Sequence, residues 1–232
     1  MTVFAVALLP VLCGLGLWQL ERAAEKRDYQ RRYFDRVGML AEAPPAHLDA
    51  AAADGASSGW AAFMRVRLRG RYAPDHHYLV DNRPRRGEPG YWAVTRFRAD
   101  DGRVFLVNRG WLAAPPSRDE LPPVPTPRGP VTVTGVIWPD TGLTPLLAPD
   151  PWPPGWPRRV QRLDVARMAD QGDAVVPVEV RLEQGQPGVF EAAPLEMTFA
   201  PERHQGYAVQ WFGLAVVLAL GFVIFGFRRS ET

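Results

Sequence analysis

One stretch limits the architecture of this chain more than any other. From Tyr207 to Phe227, within RHQGYAVQWFGLAVVLALGFVIFGFRR, no residue carries a formal charge, and Gln210 is the only side-chain amide. As a helix, these 21 residues reach about 31 Å, the thickness of a bilayer's hydrocarbon core. A helix satisfies its own backbone hydrogen bonds, which is what lipid demands of any spanning segment. Arg203 and His204 open the run, and Arg228 and Arg229 close it. The expectation is a transmembrane helix over 204–227 followed by a short basic tail, 228–232.

A second uncharged run, Thr2 to Leu17, is followed by Trp18, Gln19 and Leu20. Pro10 interrupts it, and it is short for a span. A signal peptide is the competing reading. Against it stand the missing basic n-region and the poor match of Gly14-Leu15-Gly16-Leu17-Trp18 to a small-residue cleavage site. The sequence therefore predicts an uncleaved first transmembrane helix over 1–20, and the missing basic flank predicts a true start slightly upstream of Met1. Residues 21–36 alternate acids and bases at helical spacing, Arg22 and Lys26 among them, and read as a charged helical extension. Orientation is ambiguous from charge. The basic residues after the first run and those after the second vote for opposite sides.

Between the runs lies a domain expected over 37–203, long enough for one core. Phe63 to Tyr72 alternates bulky apolar residues with arginines, the pattern of a strand with one wet face. Tyr78 to Asp81 is a short apolar segment, and Tyr91 to Arg98 alternates again. Asp100-Asp101-Gly102 predicts a hairpin turn into Val104 to Leu112. Further strands are expected at Val131 to Trp138, Val160 to Leu163 and Val175 to Leu182, with short helices possible at Ala46 to Ala53 and at Asp164 to Gln171. Pro139 to Pro157 holds seven prolines and two tryptophans, too many for a central strand. The fold class that follows is a membrane protein of α+β type, two transmembrane helices flanking one β-rich sandwich or small barrel.

Several chemistries are excluded. Cys13 is the only cysteine, so the chain can form no internal disulfide, and no zinc site built on a cysteine cluster. A net charge of +2 gives no bias toward nucleic acid. No nucleophile elbow or phosphate loop is present, and no catalytic residues are assigned. His76 and His77 are adjacent, so in a strand they point to opposite faces and do not share a metal. Arg83, Arg85, Arg86, Arg96, Arg98, Arg103 and Arg109 could gather around a carboxylate, but solvated strand faces and loops explain them equally well. The place with more chemistry is where the runs meet the domain. His204, Tyr207 and Trp211 are spaced i, i+3, i+7 and share one helix face, and Trp18 and Gln19 lie at the corresponding end of the first helix. A neutral imidazole there could ligate iron between aromatic rings, and an interfacial aromatic belt would give the same residues. Gly213 and Gly221 offer small residues where the two helices could approach.

Four blocks resemble the SURF1 family, in the family's order. They are Gly14-Leu-Gly-Leu-Trp18-Gln19-Leu-Glu-Arg22-Ala-Ala-Glu-Lys26, Asp81-Asn82-Arg83-Pro84 with Gly87-Glu-Pro89-Gly90-Tyr91, Val107-Asn108-Arg109-Gly110-Trp111, and His204-Gln-Gly-Tyr207-Ala208-Val-Gln210-Trp211-Phe212. The resemblance implies an assembly factor, a chaperone rather than an enzyme, for haem-copper cytochrome c oxidase, complex IV of the respiratory chain. It also implies two spans in a bacterial inner membrane with the domain in the periplasm. It implies binding of haem a with His204 as ligand to the haem iron, and Tyr207, Trp211 and Trp18 would cover the macrocycle. The implied partners are the oxidase's catalytic subunit, haem a or the haem a synthesis machinery, and the lipid bilayer. A membrane scaffold that stabilises an oxidase subunit without binding haem is the alternative, and an envelope enzyme a more distant one.

Overall fold

The computed structural model describes residues 2–36, 38–48, 61–139, 145–146, 149–150, 152, 154–170, 175–195 and 200–230. The chain divides into two compact units, Met1–Phe34 with Met197–Thr232, and Asp35–Glu196.

The first unit is a helix pair. Helix α1, Thr2–Arg36, runs through Pro10 without a break and continues from the apolar run into the charged extension. Its 35 residues reach about 52 Å, well beyond a bilayer core of about 30 Å. The surplus is the segment carrying the Arg22–Glu25 and Arg32–Asp28 ion pairs. The last helix, α3, covers Pro201–Ser230. Both helices are long and apolar enough to cross a membrane, over Val6–Arg36 and Pro201–Ile224. Val209, Val216, Val217 and Ile224 are all exposed, an apolar surface suited to lipid.

The helices run antiparallel, because Gly16 meets Phe212 while Gln19 meets His204. Buried or half-buried positions alternate at three- and four-residue steps: Leu12, Gly16, Gln19 and Ala23 on α1, and His204, Ala208, Trp211 and Ala215 on α3. That is the spacing of helices packing nearly parallel or antiparallel, side chains of one between those of the other. The Phe212 ring packs onto Gly16, where a Cβ would lie 2.6 Å from Phe212 Cζ. Gly213 and Gly221, expected to let the helices approach, instead face open space. Both lie off the buried stripe of α3.

The second unit is a barrel. Strand β1 spans Arg65–Val80, β2 Gly90–Ala99, β3 Val104–Ala113, β4 Val131–Trp138, β5 Arg158–Val160 and β6 Val175–Leu182. A short helix, α2, covers Val165–Ala169, capped by the Asp164 carboxylate accepting from the Arg167 backbone N–H. The sheet order is β2-β3-β6-β4-β1-β5, and an additional β1–β2 pairing closes the first five strands. The lower half of β1 pairs antiparallel with β4, from Arg65 opposite Val136 to Gly70 opposite Val131. The upper half pairs antiparallel with β2, from Gly70 opposite Ala99 to Val80 opposite Trp92. Strands β3 and β6 are parallel, β6 and β4 antiparallel. This is a five-stranded Greek-key barrel of OB type, the small-barrel form of the expected domain. Its interior holds Leu68, Phe97, Phe105, Val107, Ile137 and Val180.

Two expected segments, Phe63 to Tyr72 and Tyr78 to Asp81, are one strand. A bulge between Tyr72 and His77 joins them and lets β1 bend from one partner to the other. The first half does alternate buried apolar residues with exposed arginines. Strand β2 does not alternate: it is buried on both faces over most of its length, because a second layer, with Tyr78, Val160 and Met168, covers its outer side. The strand expected at Val160 to Leu163 is instead Arg158–Val160, set by parallel pairing with Tyr78–Val80. Ala46–Leu48 form a 3-10 turn; the rest of the helix considered at Ala46 to Ala53 lies outside the described residues.

Candidate functional site

Across the helix pair, His204 is held against a polar partner. His204 Nδ1–H donates to Gln19 Oε1 at 2.8 Å, linking positions 185 residues apart in sequence. In the neutral ring with the proton on Nδ1, Nε2 keeps its lone pair, the state in which imidazole binds a metal. An oriented ring whose second nitrogen is hydrogen-bonded is the usual arrangement of a metal-ligating histidine. His204 is half-buried, so the ring is held but accessible. Trp211 is also half-buried, on the stripe turned toward α1. Tyr207 and Trp18 are 52% and 50% exposed, large rings presented outward. Thus His204 and Trp211 lie along the seam with Gln19, while Tyr207 and Trp18 flank it. Gln19 stood out in sequence only as a neighbour of Trp18. Its role as acceptor depends on a contact that no local pattern encodes. The donor set fits an iron porphyrin: one nitrogen ligand, aromatic surfaces and an apolar surround. No group of three or more His, Cys, Asp or Glu side chains suited to a bare metal ion occurs among the described residues.

The barrel blocks Asp81-Asn82-Arg83-Pro84, Gly87 to Tyr91 and Val107 to Trp111 interlock as one corner. The indole N–H of Trp111 donates to the Arg83 carbonyl at 2.6 Å, and the Arg83 N–H donates to the Gly90 carbonyl at 3.0 Å. Gly90 lies beneath the Trp111 ring, where a Cβ would overlap the indole nitrogen. Gly110 has φ +100°, and a Cβ there would strike the Glu191 carbonyl, whose carbon would lie 2.7 Å away. Asn108 donates to Glu179 Oε1 at 2.7 Å and accepts from the Gly110 N–H at 2.9 Å. These residues hold the corner together by backbone and side-chain hydrogen bonds.

Arg109 is the largest fully buried side chain. Its guanidinium donates to the Gly188 carbonyl (2.7 Å), the Pro125 carbonyl (2.5 Å) and Thr126 Oγ1 (3.1 Å), and lies over the rings of Tyr72 and Phe190. Burial lowers its pKa to about 10, with Tyr72 acting in the opposite sense. Burial likewise pushes the Tyr72 phenol up to about 12, with Arg109 partly opposing. The arginines do not converge on one ligand. Arg109 is a core strut, Arg85 pairs with Glu191 at 2.7 Å, and Arg103 pairs with Asp101 at 2.7 Å. His77 is buried with Nδ1 3.0 Å from Thr95 Oγ1, whereas the His76 ring packs tilted against Trp156. Burial lowers the pKa of His77.

Two bilayer-length helices joined through a histidine–glutamine hydrogen bond, flanking a small Greek-key barrel in the chain, define an α+β membrane protein with a ligand-capable helix seam. A sequence model of the SURF1 family matches residues 6–216, and the chain belongs to that family. It is similar to a SURF1-like protein of Monosiga brevicollis, 27% identical, with 94% of this chain and 85% of that protein aligned. An uncharacterised SURF1-like protein of Mycobacterium tuberculosis is 26% identical over 94% of this chain and 79% of its own length. A SURF1-like protein of Rickettsia bellii is 31% identical over 44% of this chain, an alignment spanning 39% of that protein.

Proposed function

We propose that this chain is a membrane chaperone for haem-copper cytochrome c oxidase, holding haem a as cargo and assisting its insertion into the catalytic subunit. The observation that carries the reading is the His204–Gln19 hydrogen bond, which fixes an imidazole with its second nitrogen available at a helix seam. Membership of the SURF1 family supports the oxidase as the system served. His204 is the proposed ligand to the haem iron, Tyr207, Trp211 and Trp18 the flanking rings, and the bilayer the solvent for the porphyrin's apolar parts. The protein's own part is to bind and orient, with reversible ligation of the iron and no covalent change to the haem, so no catalytic residue is assigned. A carrier must also release, and a single nitrogen ligand on an open seam suits transfer to an apo-subunit or receipt from haem a synthesis.

The proposed location is a bacterial inner membrane with the barrel in the periplasm. The conflicting flanking charges permit this, since long loops translocate largely regardless of charge. The test is complementation of a strain lacking its own copy. His204→Ala, at unchanged protein level, is expected to leave the oxidase deficient in haem a. Full oxidase assembly with His204→Ala would favour a scaffold that stabilises the subunit without touching haem.

A further inference from the structure

The barrel carries an arginine with a hydrogen-bonded backbone, a guanidinium over an indole ring and, among the described residues, no acceptor for its Nε. Arg83 lies in the loop between β1 and β2. Asn82 before it adopts φ 56°, and both Arg83 backbone groups are hydrogen-bonded, to Gly90 and to the Trp111 indole. Farther along, Arg85 and Glu88 exchange two backbone hydrogen bonds of 2.9 Å. The side chain lies over Trp92, its guanidinium carbon 4.3 Å from the ring centroid. Its Nε is buried and has no hydrogen-bond partner among the described residues.

The neighbouring charges do not supply that partner. Arg181 lies 4.8 Å from Trp92 and 4.0 Å from Trp138, which makes a series of alternating rings and guanidinium groups ending at Arg83. One carboxylate serves this series, and it is committed: Glu179 accepts from Arg181 at 2.9 Å and from Asn108 at 2.7 Å. Glu191 is committed to Arg85. Burial lowers the pKa of Arg83, Glu179 partly offsets this, and Arg181 adds to it. A buried donor without an acceptor is costly. An arginine held over an indole ring is a side chain well shaped to take two oxygens of one group at once.

We propose that Arg83 is the recognition group of an oxyanion site on the barrel, taking a carboxylate or phosphate group against the guanidinium that Trp92 orients. The site is independent of His204 and of the haem reading. The experiment follows the arginine Nε–Hε NMR signals of the full chain in phosphatidylcholine nanodiscs, with propionate and inorganic phosphate as probes and sodium chloride at matched ionic strength as control. The expected result is a saturable shift of the Arg83 signal with one or both probes, not reproduced by chloride. Arg83→Gln should abolish it. Arg83→Lys should weaken binding about tenfold, the loss of one charge-assisted hydrogen bond. The probe that saturates at lower concentration names the class. The same shift without added probe, only in nanodiscs containing phosphatidylglycerol, would assign the oxyanion to a lipid headgroup. The Trp111 indole N–H signal is the folding control, because its acceptor is the backbone carbonyl of residue 83. A drift that chloride reproduces, or binding unchanged in Arg83→Gln, would overturn the proposal.

Discussion

Gly110→Ala perturbs the barrel at a point where the cost can be worked out group by group. Gly110 has φ +100°, a region that costs a residue with a Cβ about 1–2 kcal/mol. The added carbon would also meet backbone on the facing segment: the Glu191 carbonyl oxygen, its carbon at 2.7 Å and Ala192 Cα at 3.0 Å. Backbone cannot rotate away as a side chain can, so residues around 190–192 must move off. Two hydrogen bonds of 2.7 Å tie them down, Trp111 N–H to the Glu191 carbonyl and Phe190 N–H to the Arg109 carbonyl. At about 1 kcal/mol net for each, the total is about 3–4 kcal/mol, a large share of the 5–15 kcal/mol typical of a domain. For a domain of this size the melting temperature should fall by about 10 °C. The assay is thermal unfolding of the detergent-solubilised full chain followed by near-UV circular dichroism. Gly102→Ala is the control. Gly102 has φ +89° with nothing within 4 Å of its Cβ position, so it carries the conformational cost alone, about 1 kcal/mol. If the two variants melted within about 2 °C of each other, the contact argument would be refuted.

Two further outcomes are expected. Gln19→Leu removes the acceptor for His204 and should reduce haem affinity by about 10–100-fold, whereas Gln19→Glu, which still accepts the bond, should retain it; haem titration followed by absorbance separates the two. His77, buried and with its pKa lowered, stays neutral in the folded chain over a range where the unfolded chain already binds a proton. The His77 contribution to stability should therefore be level above about pH 6.5 and fall between there and the folded-state pKa, by at most about 1.4 kcal/mol per pH unit. Urea midpoints at several pH values, beside His77→Asn, check whether this residue is the source.

The parts of the fold legible in the sequence are those with a local cause. The apolar run ending at Arg228 and the hairpin at Asp100-Asp101-Gly102 are written in consecutive residues, and the structure has a helix and a β2–β3 turn there. Strand β1 was harder, because Pro74 and the bulge before His77 break its alternation, while the strand continues by changing partners. Arginine in a strand reads as a wet face. That is right for Arg67, Arg69 and Arg71, but wrong for Arg109, whose acceptors at Pro125 and Gly188 come from distant loops. Helix α3 offered Gly213 and Gly221 as small residues, yet the glycine that a facing side chain packs against is Gly16 on the other helix. Composition identifies candidates, and only the rotation of the helices selects among them. In the same way, the spacing of His204, Tyr207 and Trp211 was visible, but Gln19 as the partner that sets the imidazole tautomer was not.

The central claim is that His204 holds haem, and an absorption spectrum tests it most directly. The full chain would be purified in detergent from cells that synthesise haem a, beside a His204→Ala variant made and purified in the same way. The account predicts a haem spectrum in the parent that is lost in the variant at equal protein yield. The same spectrum in both, or no haem in either while oxidase assembly still depends on the protein, would contradict it.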